Sequence, residues 1–216
     1  MTLRIAAALV LVLGGGMLLV FLRLLGEGPR IPPEARHLRA MKDRAAAPAS
    51  VTPMSFADMI ALPHSRPLAE YAELERRGVS LEGYVQRMLH VADGDIHLEI
   101  VGRPLTPEDR DTSYLSAEVT PRVRAAGWPA RAAGPGWSYE ELEARLRPVA
   151  GGTTTWNGPP RRMRITGWLL YDWQYDTPWA SLASHRVERL TGWEIHPVTR
   201  IEVWDDARAA FRELPR

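Results

Sequence analysis

The stretch VSLEGYVQRMLHVADGDIHLEIV, Val79 to Val101, alternates apolar and polar residues on both sides of an Asp93-Gly94 turn. Leu81, Gly83 and Val85 open a first strand that runs to about Val91. Beyond the turn, Ile96, Leu98 and Ile100 face one way in a second strand, and Asp95, His97 and Glu99 face the other. Asp-Gly between two alternating runs signals a hairpin, because the tight turn needs backbone angles that glycine adopts without strain. So short a turn leaves no room for a helix between the first two strands, which excludes a ferredoxin-like layer.

Working outward, a third strand sets Leu115, Ala117 and Val119 inward and Tyr114, Ser116 and Glu118 outward. Ser138 with Glu141 makes a capping box, and Trp137 with Leu142 fills the two places of a hydrophobic staple. A helix is therefore predicted from Ser138 to Arg147, stopping before Pro148. A fourth strand runs from about Arg162 to Trp173 with Met163, Ile165, Leu169 and Tyr171 in phase. A fifth carries Trp193, Ile195, Thr199, Ile201 and Val203, in which Pro197 demands a bulge or an edge. Asp205 or Asp206 is expected to cap a short terminal helix. The order strand, strand, strand, helix, strand, strand is that of the five-stranded OB barrel. The expectation is a mainly β domain over 79–216, with an open sheet on one helix as the alternative.

Ahead of the barrel, Ser55 with Asp58, and the run from Pro67 to Arg77 closed by Gly78, predict two short helices over a lead-in at 54–78. Residues 27–53 hold Pro29, Pro32, Pro33, Pro48 and Pro53 among alanines and charges, and read as a flexible tether. Residues 1–26 read as an anchor. Eighteen uncharged residues, Ile5 to Leu22, lie between Arg4 and Arg23, and as a helix would reach roughly 27 Å, enough to span a bilayer core. A cleaved signal peptide is the rival, but Leu24-Leu25-Gly26-Glu27 makes a poor cleavage site. Orientation signals conflict. Arg23, Arg30, Arg36, Arg39, Lys42 and Arg44 favour a cytoplasmic domain by charge counting. The short N-terminal tail resembles a signal anchor that sends the domain to the outer, periplasmic face of a bacterial inner membrane, which is the expectation adopted.

Composition removes several chemistries. There is no cysteine, so disulfides, thiolate metal sites and cysteine nucleophiles are excluded. Lys and Arg total 27 against 26 Asp and Glu, a balance that does not favour nucleic acid as a partner. No P-loop, GxGxxG, GxSxG or HExxH occurs.

Three segments carry the candidate chemistry: Gly94-Asp95-Ile96-His97-Leu98, Ala117-Glu118-Val119-Thr120-Pro121 and Trp193-Glu194-Ile195-His196-Pro197-Val198. Together they resemble uncharacterised small bacterial proteins with an OB-like β-barrel domain, in which D-x-H, E-V-T-P and W-E-I-H-P-V segments follow in this order. The resemblance spans roughly residues 79 to 204 and implies a fold without an activity. Read from the residues alone, acid-x-His at period two puts both side chains on one face of a strand. His97, Glu118 and His196, on strands that neighbour one another in an OB barrel, could hold zinc or another divalent metal, with Asp95 and Glu194 as orienters or base. Ordinary outward polar residues are the plainer alternative. Trp173, Tyr175, Trp179, His185 and Arg186 lie between the last two strands, where OB folds hold ligands, and could instead be packing residues. Arg161, Arg162 and Arg164, with Arg122 and Arg124, are either a solvated strand end or phosphate contacts. Two functions remain open: a membrane-tethered module that binds a polymer or protein partner, and a divalent-metal-dependent hydrolase.

Overall fold

The computed structural model describes residues 32–91, 94–106, 108–109, 113–120, 144–146, 161–175 and 189–214. The chain divides into two units, Met1–Arg36 and His37–Arg216. The expected anchor at 1–26 lies outside the described residues, among which no helix is long and apolar enough to cross a membrane.

Part of the stretch expected to be a tether is structured. Helix α1 (Pro33–Lys42) places Glu34 in its first turn and Arg39 and Lys42 in its last, charges that suit the two ends of the helix dipole. Strand β1 (Val51–Met54) pairs in parallel with the start of the barrel, Val51 opposite Gly78 and Met54 opposite Leu81. Helix α2 (Phe56–Ile60) starts where predicted: Ser55 Oγ accepts from Asp58 N at 3.1 Å, and Asp58 Oδ2 accepts from Ser55 N at 2.8 Å. The second lead-in helix is reduced to one 3₁₀ turn, Leu68–Glu70, followed by turns to Gly78, which begins a strand instead of closing a helix.

Five strands then close on themselves. They are β2 (Gly78–His90), β3 (Ile96–Val101), β4 (Tyr114–Val119), β5 (Arg161–Tyr171) and β6 (Arg189–Asp205). Strand β2 pairs β3, β3 pairs β4, β4 pairs β6, β6 pairs β5, and β5 returns to β2. Every pairing in the barrel is antiparallel except β4 with β6. Taken by position in the barrel, the order is first, second, third, fifth, fourth, which is the OB order, and the return of β5 to β2 excludes an open sheet. Strand β2 can serve two partners because it is long: Gly78–Val85 lies along β5, and Tyr84–His90 lies along β3, with a bulge between Val85 and Arg87. Gly94 takes a φ of 90° in the hairpin turn, as the Asp-Gly signal requires.

The alternation read from the sequence fills the interior. Leu81, Val85, Ile96, Leu98, Ile100, Leu115, Ala117, Val119, Met163, Ile165, Trp193, Ile195 and Ile201 form one buried cluster. In β6 its phase slips twice around Pro197, at the register shifts between Thr166 and Gly167 and between Gly167 and Leu169 of β5. Gly167 pairs with Val198 and Leu169 with Ile195, so Val198 enters the core where Thr199 was expected, and Thr199 Oγ1 donates to Thr166 O at 3.4 Å. Between β4 and β5, residues 144–146 are helical and Leu146 is buried; Ser138, Glu141, Trp137 and Leu142 lie outside the described residues. The expected terminal helix is replaced by a hairpin. Ala209 has a φ of 48°, and strand β7 (Ala210–Glu213) pairs back on β6 with Phe211 opposite Trp204. Their rings lie 5.1 Å apart with Arg162 over both, a cross-strand packing that an isolated helix would forgo.

Candidate functional site

Asp95, His97, Glu118, Glu194 and His196 face away from the interior, as alternation requires, yet none is a solvated surface residue. All are buried, and Glu194 and His196 are 0 % exposed. Strand register gathers them. His97 pairs with Glu118 across β3 and β4, while Ser116 pairs with Glu194 and Ala117 with Ile195 across β4 and β6; carried one residue further, this register sets Glu118 beside His196. The Glu118 carboxylate lies between two imidazoles. His97 Nδ1 is 2.9 Å from Oε1, and His196 Nδ1 is 2.9 Å from Oε2. His196 Nδ1 also lies 3.1 Å from Glu194 Oε1, and its Nε2 lies 3.7 Å from Asp95 Oδ2.

Four residues not singled out from the sequence as site members complete the network. Lys42, at the end of α1, places Nζ 3.3 Å from Asp172 Oδ2 and 3.7 Å from Glu118 Oε2. Arg189 Nη2 donates to Glu194 Oε2 at 2.7 Å. Arg44 donates to four backbone carbonyls: Met41 O at 2.9 Å, Glu75 O at 2.6 Å, His196 O at 2.9 Å and Leu169 O at 3.1 Å. The last two belong to the bulge, where ladder bonding is interrupted, so Arg44 supplies donors that the sheet does not. No sequence period marks these positions. The one available signal was a requirement: several carboxylates on buried faces need cations from elsewhere in the chain.

Burial opposes charge on His196, but its hydrogen bonds to Glu118 and Glu194 and their charges outweigh it, raising the imidazole pKa to about 9. The same contest runs in reverse for Glu118: burial raises its pKa, and the bonds to His196 and His97 bring it well below the usual carboxylate range. Burial also works against the Lys42 ammonium, and the charges of Glu194, Glu118 and Asp172 more than compensate. Asp172 is pushed upward, by burial first and by the Glu194 charge second.

His97, Glu118 and His196 were the expected ligand set. The set whose ligand atoms all lie within 4.8 Å of one another is Asp95, Glu118 and His196. His97 is turned to Glu118 Oε1 and Ser116 Oγ, the latter 3.3 Å from Nδ1.

Of the ligand-loop residues, Trp173 and Tyr175 form a 3₁₀ turn directly after β5, while Trp179, His185 and Arg186 lie outside the described residues. Tyr175 is 48 % exposed, and the Arg189 guanidinium lies 4.3 Å from its ring centroid. Of the basic group, Arg162 and Arg164 both bond Glu82, at 2.8 and 2.7 Å, and Arg122 and Arg124 lie outside the described residues. A separate cleft of about 820 Å³ is lined by Pro53, Met54, Phe56, Glu82, Arg164 and Glu202 among others, and shares no residue with the buried cluster.

No protein-family model matches the sequence, and no curated protein matches it. Among solved structures it is similar to asparaginyl-tRNA synthetase from Pyrococcus horikoshii complexed with asparaginyl-adenylate, at 17% identity and a TM-score of 0.33. That likeness covers 66% of this chain and 22% of the other, so the chain spans about a fifth of the structure it resembles.

Proposed function

We propose that this chain is a membrane-tethered OB-like binding module of the bacterial envelope, which takes a polymer or protein partner on the face framed by the β2–β3 turn and the segment after β5. The observation that carries this is the Tyr175–Arg189 pair. An exposed aromatic ring stacked with a guanidinium offers a flat surface that binds rings and planar groups. It stands beside Trp173, at the loop that OB barrels use for ligands. A formal net charge of +1 gives no general attraction to phosphate, which leaves envelope glycans and proteins ahead of nucleic acid. Residues 1–26 supply the membrane anchor in this reading.

A divalent-metal-dependent hydrolase needs its ion to meet substrate. Asp95, Glu118 and His196 are 4, 6 and 0 % exposed, which suits an ion held within the protein better than one open to a substrate.

The test is a tryptophan-fluorescence titration of the detergent-solubilised full chain with a peptidoglycan glycan fragment and a single-stranded oligonucleotide. Saturable binding of the glycan, weakened about tenfold or more by Tyr175→Ala, is expected, since loss of one stacking platform costs roughly 1–3 kcal/mol. Binding of the oligonucleotide alone, or glycan binding indifferent to both Tyr175→Ala and Trp173→Ala, overturns the reading. Membrane attachment is checked separately by alkaline extraction of membranes carrying the full chain.

A further inference from the structure

We propose that Asp95, Glu118 and His196 hold one divalent transition-metal ion, zinc or a close relative, which ties the β2–β3 turn to β4 and β6. The ligand atoms converge within 4.8 Å. A tetrahedral ion with bonds near 2.0–2.2 Å sets its donors roughly 3.4 Å apart, so the three groups close by up to roughly 1.4 Å around it.

His196 gives the independent sign of a ligand. It is 0 % exposed, and its Nε2 makes no hydrogen bond, the nearest carboxylate oxygen being Asp95 Oδ2 at 3.7 Å. A buried ring nitrogen left without a bond is costly, and an ion beside Asp95 satisfies it. The other ring nitrogen is already arranged for that tautomer. Nδ1–H donates to Glu194 Oε1 at 3.1 Å, with Glu118 Oε2 2.9 Å from the same nitrogen, and Arg189 holds Glu194 at 2.7 Å. A carboxylate on the far nitrogen is the usual means by which proteins orient a ligating imidazole. His97 does the same for Glu118, holding Oε1 at 2.9 Å. The sequence-based expectation is thereby revised: His97 is a positioning residue, and Asp95 takes its place as a ligand.

Charge points the same way. Asp95, Glu118, Asp172 and Glu194 bring four negative charges together, and Lys42 and Arg189 bring two positive ones. A divalent ion on a neutral imidazole closes the difference. One imidazole nitrogen with two carboxylates suits a four-coordinate transition metal better than calcium, which takes six to eight oxygens.

This goes beyond the binding-module reading and does not depend on it, because its test uses metal alone. The detergent-solubilised full chain is stripped with chelator, dialysed and titrated calorimetrically with Zn²⁺. One equivalent is expected to bind, more than 100-fold more weakly to Asp95→Asn and His196→Gln, and about tenfold more weakly to His97→Gln, the size of effect seen when an orienting partner is lost. X-ray absorption of the wild-type zinc complex should show a single imidazole. No binding by the wild type at millimolar Zn²⁺ overturns the proposal, as does binding unchanged in Asp95→Asn. If the variants do not fold, the wild-type spectrum still decides, and two or more imidazoles on the ion place it elsewhere and overturn the site.

Discussion

His196 Nδ1 stands 2.9 Å from Glu118 Oε2, and the two belong to β6 and β4, the one parallel pair in the barrel. That adjacency comes from the OB crossover and from nothing local in the sequence. Its consequence is an ion pair screened from water on a face that alternation alone assigns to solvent. Such a pair is costly to expose singly, so every group around it becomes a determinant of stability.

The His196 pair makes the metal-free protein sensitive to alkali. The folded-state pKa is raised from 6.5 to about 9. A raised histidine contributes stability that is fully present below its unfolded pKa and is lost as pH rises through the folded one. The unfolding free energy should therefore fall between pH 6.5 and 9, by an amount on the order of 3 kcal/mol at most, and the denaturant midpoint with it. His196→Gln should flatten that limb. A wild-type midpoint that is level from pH 6 to 10 would show that the imidazole is not held charged.

Arg44→Ala should destabilise by roughly 3 kcal/mol or more, because hydrogen bonds from a charged donor contribute about 1.5–3 kcal/mol each and Arg44 makes four of them to backbone carbonyls. Arg44→Lys should recover little, since one ammonium cannot reach four carbonyls as the planar fork does. Urea melts of the two variants check this, and equal recovery by lysine would reduce Arg44 to a point charge.

Gly167 has no room for a side chain: a Cβ there would lie 2.3 Å from Pro197 O. The neighbour is backbone within the bulge and cannot rotate aside. Gly167→Ala should therefore cost several times the ordinary effect of about 0.5–1 kcal/mol for that exchange, read as a drop in melting temperature. A neutral result would mean that the bulge can move.

The barrel order was legible because it rests on local signals: alternation in β2 to β6, Asp93-Gly94 at the hairpin, Pro197 at the bulge. The capping box at Ser55 and Asp58 was legible for the same reason. Period two separates the faces of a strand but does not say what covers them, so His97, Glu118 and His196 could be set on one side without their burial being foreseen. What covers them includes Lys42, from a segment whose prolines and alanines resemble a linker. The Ala-rich run after Asp205 resembles a helix, and only the packing of Phe211 against Trp204 and two arginines shows why it turns back as a strand.

Removing residues 37–53 should damage the barrel rather than free it. A tether of the kind expected from composition could be cut without effect, and a chain beginning at residue 54 would melt like one beginning at residue 32. In the structure that cut removes β1 from the edge of β2, the Ala46 carbonyl that accepts from Trp168 Nε1 at 2.7 Å, and the His37 contact to Glu75 at 2.6 Å. It also removes Lys42 and Arg44 together. Glu118 and Asp172 then lose their ammonium, and breaking a buried pair from one side typically costs about 3–5 kcal/mol. Exposed β2 edge adds a liability to aggregation. The chain from residue 54 should therefore show a denaturant midpoint lower by at least the loss measured for Lys42→Met, with poorer solubility. Lys42→Met separates the two contributions, since it keeps β1 and the helix while deleting only the charge. Matching melts for the chains from 32 and from 54 would restore the tether and leave the Lys42 contacts without energetic weight.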